Sequence, residues 1–172
     1  MEIERKFTIK ALPENLEQYP FHIIEQAYLN TNPVIRIRKQ DDEYYLTYKG
    51  KGLLAREEYN LPLNEQSYNH LKEKADGNII SKKRYLIPLE NPEFAADYTP
   101  SGCKPSDYKS DENCQLTIEL DIFDAPFENL IIAEVEFPTE QMAEAFIPVG
   151  WFLEDVTTNP EYHNSNLSVK KI

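Results

Sequence analysis

Positive charge is scarce in this chain: 18 lysines and arginines stand against 30 aspartates and glutamates, leaving a formal charge of −12. That balance repels nucleic acid and anionic membrane over most of the surface, so neither is expected as a partner. It leaves room for a local basic pocket. Long apolar runs are also missing, and none approaches the ~18 residues of a membrane helix. The opening stretch MEIERKFTIK is charged from its second residue, unlike a signal peptide, so a cytoplasmic location is expected. Cysteine is limited to Cys103 and Cys114, too few for a disulfide scaffold and without histidine at metal-ligand spacing. They read as two incidental thiols. The three histidines read as ordinary: His22 in a loop, His70 on a helix surface, His163 near the end without an evident partner. The single tryptophan, Trp151, reads as packing.

Glycine is rare as well, at five residues, whereas tyrosine numbers 11, and short runs alternate apolar with polar residues. Such alternation belongs to antiparallel strands rather than to long helices. It predicts strands at about 2–9, 26–39, 43–50, 54–61, 79–87, 115–123 and 130–138, with Gln40-Asp41-Asp42 as a hairpin connection. Tyr68, Leu71 and Ala75 recur at helical spacing over 64–76, with Asn64 as cap and Gly77 as stop. A second short helix is expected from Thr139 to Pro148. Residues 91–113 hold three prolines and no periodicity, a long loop insertion. At 172 residues and 41% hydrophobic, the chain reads as one domain, 1–172. Seven or so strands in so short a chain dispose of their edges best by closing. The expected class is mainly β (α+β), a closed antiparallel barrel with a few flanking helices.

Residues two apart on a strand share a face, about 6.5 Å from each other. By that rule Glu2, Glu4 and Lys6 lie together, as do Arg36 with Arg38, Thr47 with Lys49, Arg56 with Glu58 and Asn60, Lys82 with Arg84, Glu119 with Asp121, and Glu134 with Glu136. The plain alternative is a sheet whose charged face meets water. Against it, the signs are sorted by strand, and like charges side by side are destabilising on an open surface. Charged faces turned inward would instead line a cavity, with helices on the apolar outer faces. Clustered carboxylates call for a hard divalent cation, and clustered arginine and lysine for phosphate. Seven inward acids (Glu2, Glu4, Glu58, Glu119, Asp121, Glu134, Glu136) match seven inward bases (Lys6, Arg36, Arg38, Lys49, Arg56, Lys82, Arg84). A roughly neutral but polarised cavity of this kind suits a metal–polyphosphate ligand.

The ordered series of these residues resembles the CYTH proteins, the triphosphate tunnel metalloenzymes. Glu2-Ile3-Glu4-Arg5-Lys6 is similar to their E-x-E-x-K signature. Arg36-Ile37-Arg38, Thr47-Tyr48-Lys49-Gly50, Arg56-Glu57-Glu58-Tyr59, Lys82-Lys83-Arg84-Tyr85, Glu119-Leu120-Asp121 and Glu134-Val135-Glu136 follow in order, and Asp155-Val156-Thr157 resembles the family's ending. The resemblance implies an eight-stranded tunnel that grips a triphosphate with Lys6, Arg36, Arg38, Lys49, Lys82 and Arg84. It implies one metal on Glu2, Glu4 and Glu136 and a second near Asp121 and Glu134, with Glu58 at a further acidic position. Lys6, Asp121 and Glu134 are then the candidate catalytic group, and magnesium or manganese, as two ions, the cofactor. The implied activity is a metal-dependent triphosphatase; class IV-type adenylate cyclase and thiamine triphosphatase are alternatives within the same chemistry. A non-catalytic polyphosphate-binding module would have lost Asp121 and Glu134. A second copy of the chain is the one macromolecular partner left open. The chain departs from the pattern at Asn60, where a second glutamate is usual, at Asp155 for glutamate, and in the length of 91–113. Arg38→Ala and Arg84→Ala should both weaken substrate binding with the fold intact, and Arg5→Gln, on the opposite face from Glu4, should be nearly silent.

Overall fold

The computed structural model describes residues 1–100, 102–103, 107 and 114–172. Its strands are β1 (Glu2–Ile9), β2 (Phe21–Thr31), β3 (Val34–Gln40), β4 (Glu43–Lys49), β5 (Ala55–Arg56), β6 (Glu58–Leu63), β7 (Asp76–Leu89), β8 (Glu93–Phe94), β9 (Leu116–Phe123), β10 (Ile131–Glu136), β11 (Phe146–Ile147) and β12 (Phe152–Asp155). The helices are α1 (Glu65–Lys72), α2 (Glu140–Ala145) and α3 (Asn164–Val169). One ten-stranded sheet runs in the order β12-β1-β10-β9-β7-β2-β3-β4-β6, with β5 joined to β1, while β8 and β11 pair separately. Glu57 alone separates β5 from β6. Because β6 pairs with β4 at Lys49↔Glu58 and β5 pairs with β1 at Glu2↔Arg56, residues 55–63 bridge the two ends of the path. The expected antiparallel barrel is therefore present and nearly closed, although its path counts nine strands plus β5 rather than eight.

Several boundaries differ from the sequence reading. The run 26–39 is two strands, because Pro33 has no N–H to give a ladder and the chain turns at Asn32-Pro33. β2 starts at Phe21, which places His22 on a strand rather than in a loop. β12 lies outside the strands that alternation predicts, since four residues are too few for alternation to register. The first helix begins as expected, with the Asn64 side chain accepting from the Ser67 N–H at 2.8 Å, but it ends at Lys72. Thr139 caps α2 by accepting from the Met142 N–H. Within 91–113, β8 lies against β11; residues 101, 104–106 and 108–113 fall outside the described set. Cys103 and Cys114 are joined in a disulfide, not the two incidental thiols expected.

Helices cover the apolar outer faces as anticipated. Tyr68 of α1 is buried with Ala27 and Ile37, and Met142 and Ala143 of α2 are buried with Ile3, Phe7 and Val135. Each large apolar side chain so covered contributes about 1.5–3 kcal/mol. A third cluster joins Tyr28, Val34, Ile80, Phe123 and Ile132 to Leu167 of α3. Ile80, Phe123 and Ile132 share strand faces with Lys82, Asp121 and Glu134, so this cluster fills one end of the barrel interior. Gly77 lets α3 dock there: it has φ +75°, and a Cβ would lie 2.1 Å from the Ser168 carbonyl oxygen. Among the described residues no helix is long and apolar enough to cross a membrane.

Candidate active site

Side-chain parity on the strands builds the site. β1 turns Glu2, Glu4 and Lys6 inward, β3 Arg36 and Arg38, β4 Thr47 and Lys49, β7 Lys82 and Arg84, β9 Glu119 and Asp121, and β10 Glu134 and Glu136. Most of them meet, with Arg56 of β5 and Glu58 of β6, in a cavity of about 300 Å³ lined by six acids (Glu2, Glu4, Glu58, Glu119, Glu134, Glu136) and six bases (Lys6, Arg36, Arg38, Lys49, Arg56, Arg84). Twelve of the fourteen expected charged residues thus line one cavity. The other two do not. Lys82 and Asp121 are paired with each other at 0% exposure, below the cavity wall. Their strand neighbours Phe123 and Ile80 belong to the apolar plug, so the wall closes over them.

Most of the charges neutralise one another. Lys49 donates to Glu2 at 2.6 Å and meets Glu58 at 2.8 Å, while Arg56 reaches Glu2 at 3.0 Å and Glu4 at 3.4 Å. Lys6 lies 2.9 Å from Glu4 and is hydrogen-bonded to Glu134. Arg84 is the hub of the acidic side: it donates to both Asp121 oxygens at 2.7 Å, to Glu134 at 2.6 Å, and to Glu119. Burial opposes the charge of Lys6, but Glu134 and Glu4 outweigh it and hold the ammonium above its usual range. Burial likewise opposes ionisation of Glu134, and Lys6 and Arg84 overcome it, holding that carboxylate well below its ordinary value. For Lys82 burial dominates even the pull of Asp121, and its pKa falls to about 8.

The β3 arginines are different. Among the described residues Arg36 and Arg38 have no carboxylate partner within ion-pair distance. Arg36 donates to the Thr47 hydroxyl at 3.2 Å, and Arg38 donates to the Gln26 carbonyl oxygen at 3.1 and 2.9 Å. Burial and then the neighbouring Arg36 push the Arg38 pKa down, as expected of a cation kept without an anion. The cavity therefore has an uncompensated positive pole on β3.

Residues 1–102 match the CYTH domain, more than half of the chain. This chain belongs to the CYTH family. Along nearly its whole length, 98% of this chain and 97% of the relative, it is 34% identical to an inorganic triphosphatase of Nitrosomonas europaea. A second inorganic triphosphatase, from Acetivibrio thermocellus, is 30% identical over 96% of this chain and 92% of its own. The crystal structure of an inorganic triphosphatase superposes with a TM-score of 0.62 at 28% identity, covering 99% of this chain and 96% of that one.

A CYTH tunnel implies a divalent metal, and the donors here fit one. Glu4 and Glu136 stand directly opposite on β1 and β10, with Glu2 beside them. Burial, followed by the charges of Glu2, Glu119, Glu4 and Glu58, raises the Glu136 pKa, a crowding that a hard cation would relieve. Among the described residues no three acid, histidine or cysteine side chains yet converge on one metal position. Lysine and arginine hold Glu2 and Glu4 instead.

Sequence reasoning missed several members of this CYTH site. His22 and His163, read as ordinary, both line the cavity. His22 pairs with Asp41 at 2.6 Å, and the His163 ring nitrogen meets the Thr157 carbonyl at 3.1 Å, the partner the sequence did not reveal. Tyr28 and Tyr45 line it too: Tyr28 stands opposite Arg36, and the Tyr45 hydroxyl accepts from Arg38 at 3.3 Å. Their position on strands beside the arginine pair is the signal that could have found them. Asn60, the departure from the family pattern, accepts from Thr47 at 2.6 Å and donates to Glu58 at 2.8 Å. It thus links the Arg36 support to the Lys49 ion pair without adding charge.

Proposed function

We propose that this CYTH protein is a single-domain metal-dependent triphosphatase that hydrolyses inorganic tripolyphosphate in its barrel. The observation that carries the reading is the cavity's charge: six acids and six bases around about 300 Å³, with an unneutralised pole at Arg36 and Arg38. The names of the two relatives support it. So does the lining, whose two tyrosines offer no free face for a nucleobase: Tyr28 is buried in the apolar plug, and the Arg38 guanidinium lies over the Tyr45 ring, 5.9 Å from its centre. That disfavours the adenylate cyclase and thiamine triphosphate readings.

In this reading Arg36 and Arg38 anchor the phosphate chain with planar forks. Lys6, Lys49, Arg56 and Arg84 exchange carboxylate for phosphate contacts as the substrate enters. Glu2, Glu4 and Glu136 would hold magnesium or manganese, and Glu134, Glu119 and Glu58 are the remaining lining acids from which a second ion would draw its ligands. When bound, such ions supply charge neutralisation at the phosphate oxygens and an acidified water. Asp121 and Lys82, sealed below the wall, serve as supports of Arg84 rather than as direct ligands. Lys6 remains the cation best placed beside Glu134 to neutralise charge on the phosphoryl group in flight.

The test is phosphate release from tripolyphosphate, ATP and thiamine triphosphate, each with magnesium or manganese. Tripolyphosphate is expected to turn over fastest, and excess chelator to reduce turnover to background. Undiminished turnover with metal verified absent would sink the metal assignment; exclusive release of pyrophosphate from ATP would replace hydrolase by cyclase. We also place the enzyme in the cytoplasm, where thiol buffers keep most disulfides open. Rapidly quenched cells should then yield two alkylatable thiols, Cys103 and Cys114, and their complete protection would point to an oxidising compartment.

A further inference from the structure

Gln26 has no place in the roles above, yet it is fully buried, at 0% exposure, in the barrel interior. It stands opposite Arg38 on β3 and Ile80 on β7, at the border between the charged cavity and the apolar plug. Only its carbonyl oxygen can accept from a guanidinium, and it does so twice, from Nε at 3.1 Å and Nη2 at 2.9 Å of Arg38. The remaining Arg38 nitrogen reaches the Tyr45 hydroxyl at 3.3 Å. Every support of Arg38 is therefore neutral. Elsewhere in the cavity the same job is done by carboxylates, as at Lys6, Lys49, Arg56 and Arg84. Two donors in this corner, Gln26 Nε2 and Arg36 Nε, are buried and without a partner among the described residues, so β2 and β3 offer more hydrogen-bond donors than those residues accept.

We propose that Gln26 is a positioning residue that aims the Arg38 guanidinium while leaving its charge unspent for the substrate anion. A carboxylate at this position would aim the arginine equally well but would satisfy it in advance, and the tunnel would lose its positive pole. The inference rests on the triphosphatase reading and adds to it a residue that sets affinity for the oligophosphate through Arg38.

The experiment is a double-mutant cycle on kcat/KM for tripolyphosphate, run with the metal-loaded full chain. Gln26→Met keeps the length and removes the acceptor; it should lower kcat/KM about tenfold, mainly through KM. In an Arg38→Ala background the same change should matter less than about twofold, because there is no guanidinium left to aim. Gln26→Glu is the second variant, in case the first does not fold: it should raise the melting temperature by pairing with Arg38, yet raise KM about tenfold or more. A purely structural Gln26 would move melting temperature and leave KM alone. Equal losses from Gln26→Met in both backgrounds, or an unchanged KM in Gln26→Glu, would overturn the inference while leaving the triphosphatase reading standing. Failure of the wild-type enzyme to hydrolyse tripolyphosphate would overturn both.

Discussion

Arg84→Ala is expected to destabilise the fold by about 3–5 kcal/mol, the cost of stranding buried carboxylates without their partner. Arg84 donates to Asp121, Glu134 and Glu119, and after its removal Lys82 alone would face Asp121. Arg38→Ala should behave in the opposite way. It leaves no carboxylate unpaired and removes a cation from beside Arg36, so the melting temperature should hold or rise. Its kcat/KM for tripolyphosphate should fall by about 10- to 100-fold, the worth of one charge-assisted contact. Sequence reasoning expected the two variants to act alike with the fold intact. The structure separates them, because removing Arg84 strands buried acids of the protein and removing Arg38 strands none. Chemical unfolding with parallel kinetics on both variants checks this; equal stability would mean that Arg84 does not hold the acidic wall.

The second large effect is on β1. Glu4→Gln removes a negative charge that a hard cation needs and that Lys6 and Arg56 lean on. Turnover is expected to fall by orders of magnitude, with added metal restoring only part of it. Its neighbour Arg5 points to the opposite face, as parity requires, but the structure corrects the expectation that it is silent. Arg5 donates to the Ala143 and Phe146 carbonyls at 2.9 and 2.8 Å and to Asp155 at 3.0 and 2.6 Å. It also lies 5.0 Å from the Phe7 ring centre. Arg5→Gln should therefore cost about 2–3 kcal/mol of stability, with Asp155 discounted for its exposure, and leave kcat unchanged. A matched loss of kcat in both variants would break the inward–outward division of β1.

How much of this was legible beforehand follows from what alternation can carry. Period two places a side chain on a face, so the inward set on β1, β3, β4 and β10 could be read from spacing, and the structure brings those residues around one cavity. It says nothing about depth along the barrel axis. Lys82 and Asp121 have the correct parity, but they sit beside the plug and end below the wall. Short elements such as β12 leave no periodic trace, whereas Pro33, which follows Asn30-Thr31-Asn32 and cannot serve a ladder, does mark the break between β2 and β3. Neutral supports are the hardest to see. Gln26 carries no charge pattern, and only its hydrogen bonds to Arg38 reveal it; parity could place Thr47 and Asn60 on the inward face but not their bonds to Arg36 and Glu58.

The pairing of β1 also sets a timetable for synthesis. One edge of β1 is taken by β10, and the other is shared by β5 and then β12. It leaves the ribosome before every one of its partners, and these extend to Asp155. The barrel consequently closes only after β10 and β12 have been released, and such long-range closure is slow. During that wait β1 presents bare ladder groups to any passing strand. Glu2, Glu4 and Lys6, charged side chains on its inward face, then act as a guard against intermolecular pairing before they meet any ligand. Substitutions that make this strand more apolar should show their first cost as insoluble nascent protein, ahead of any cost to the folded enzyme.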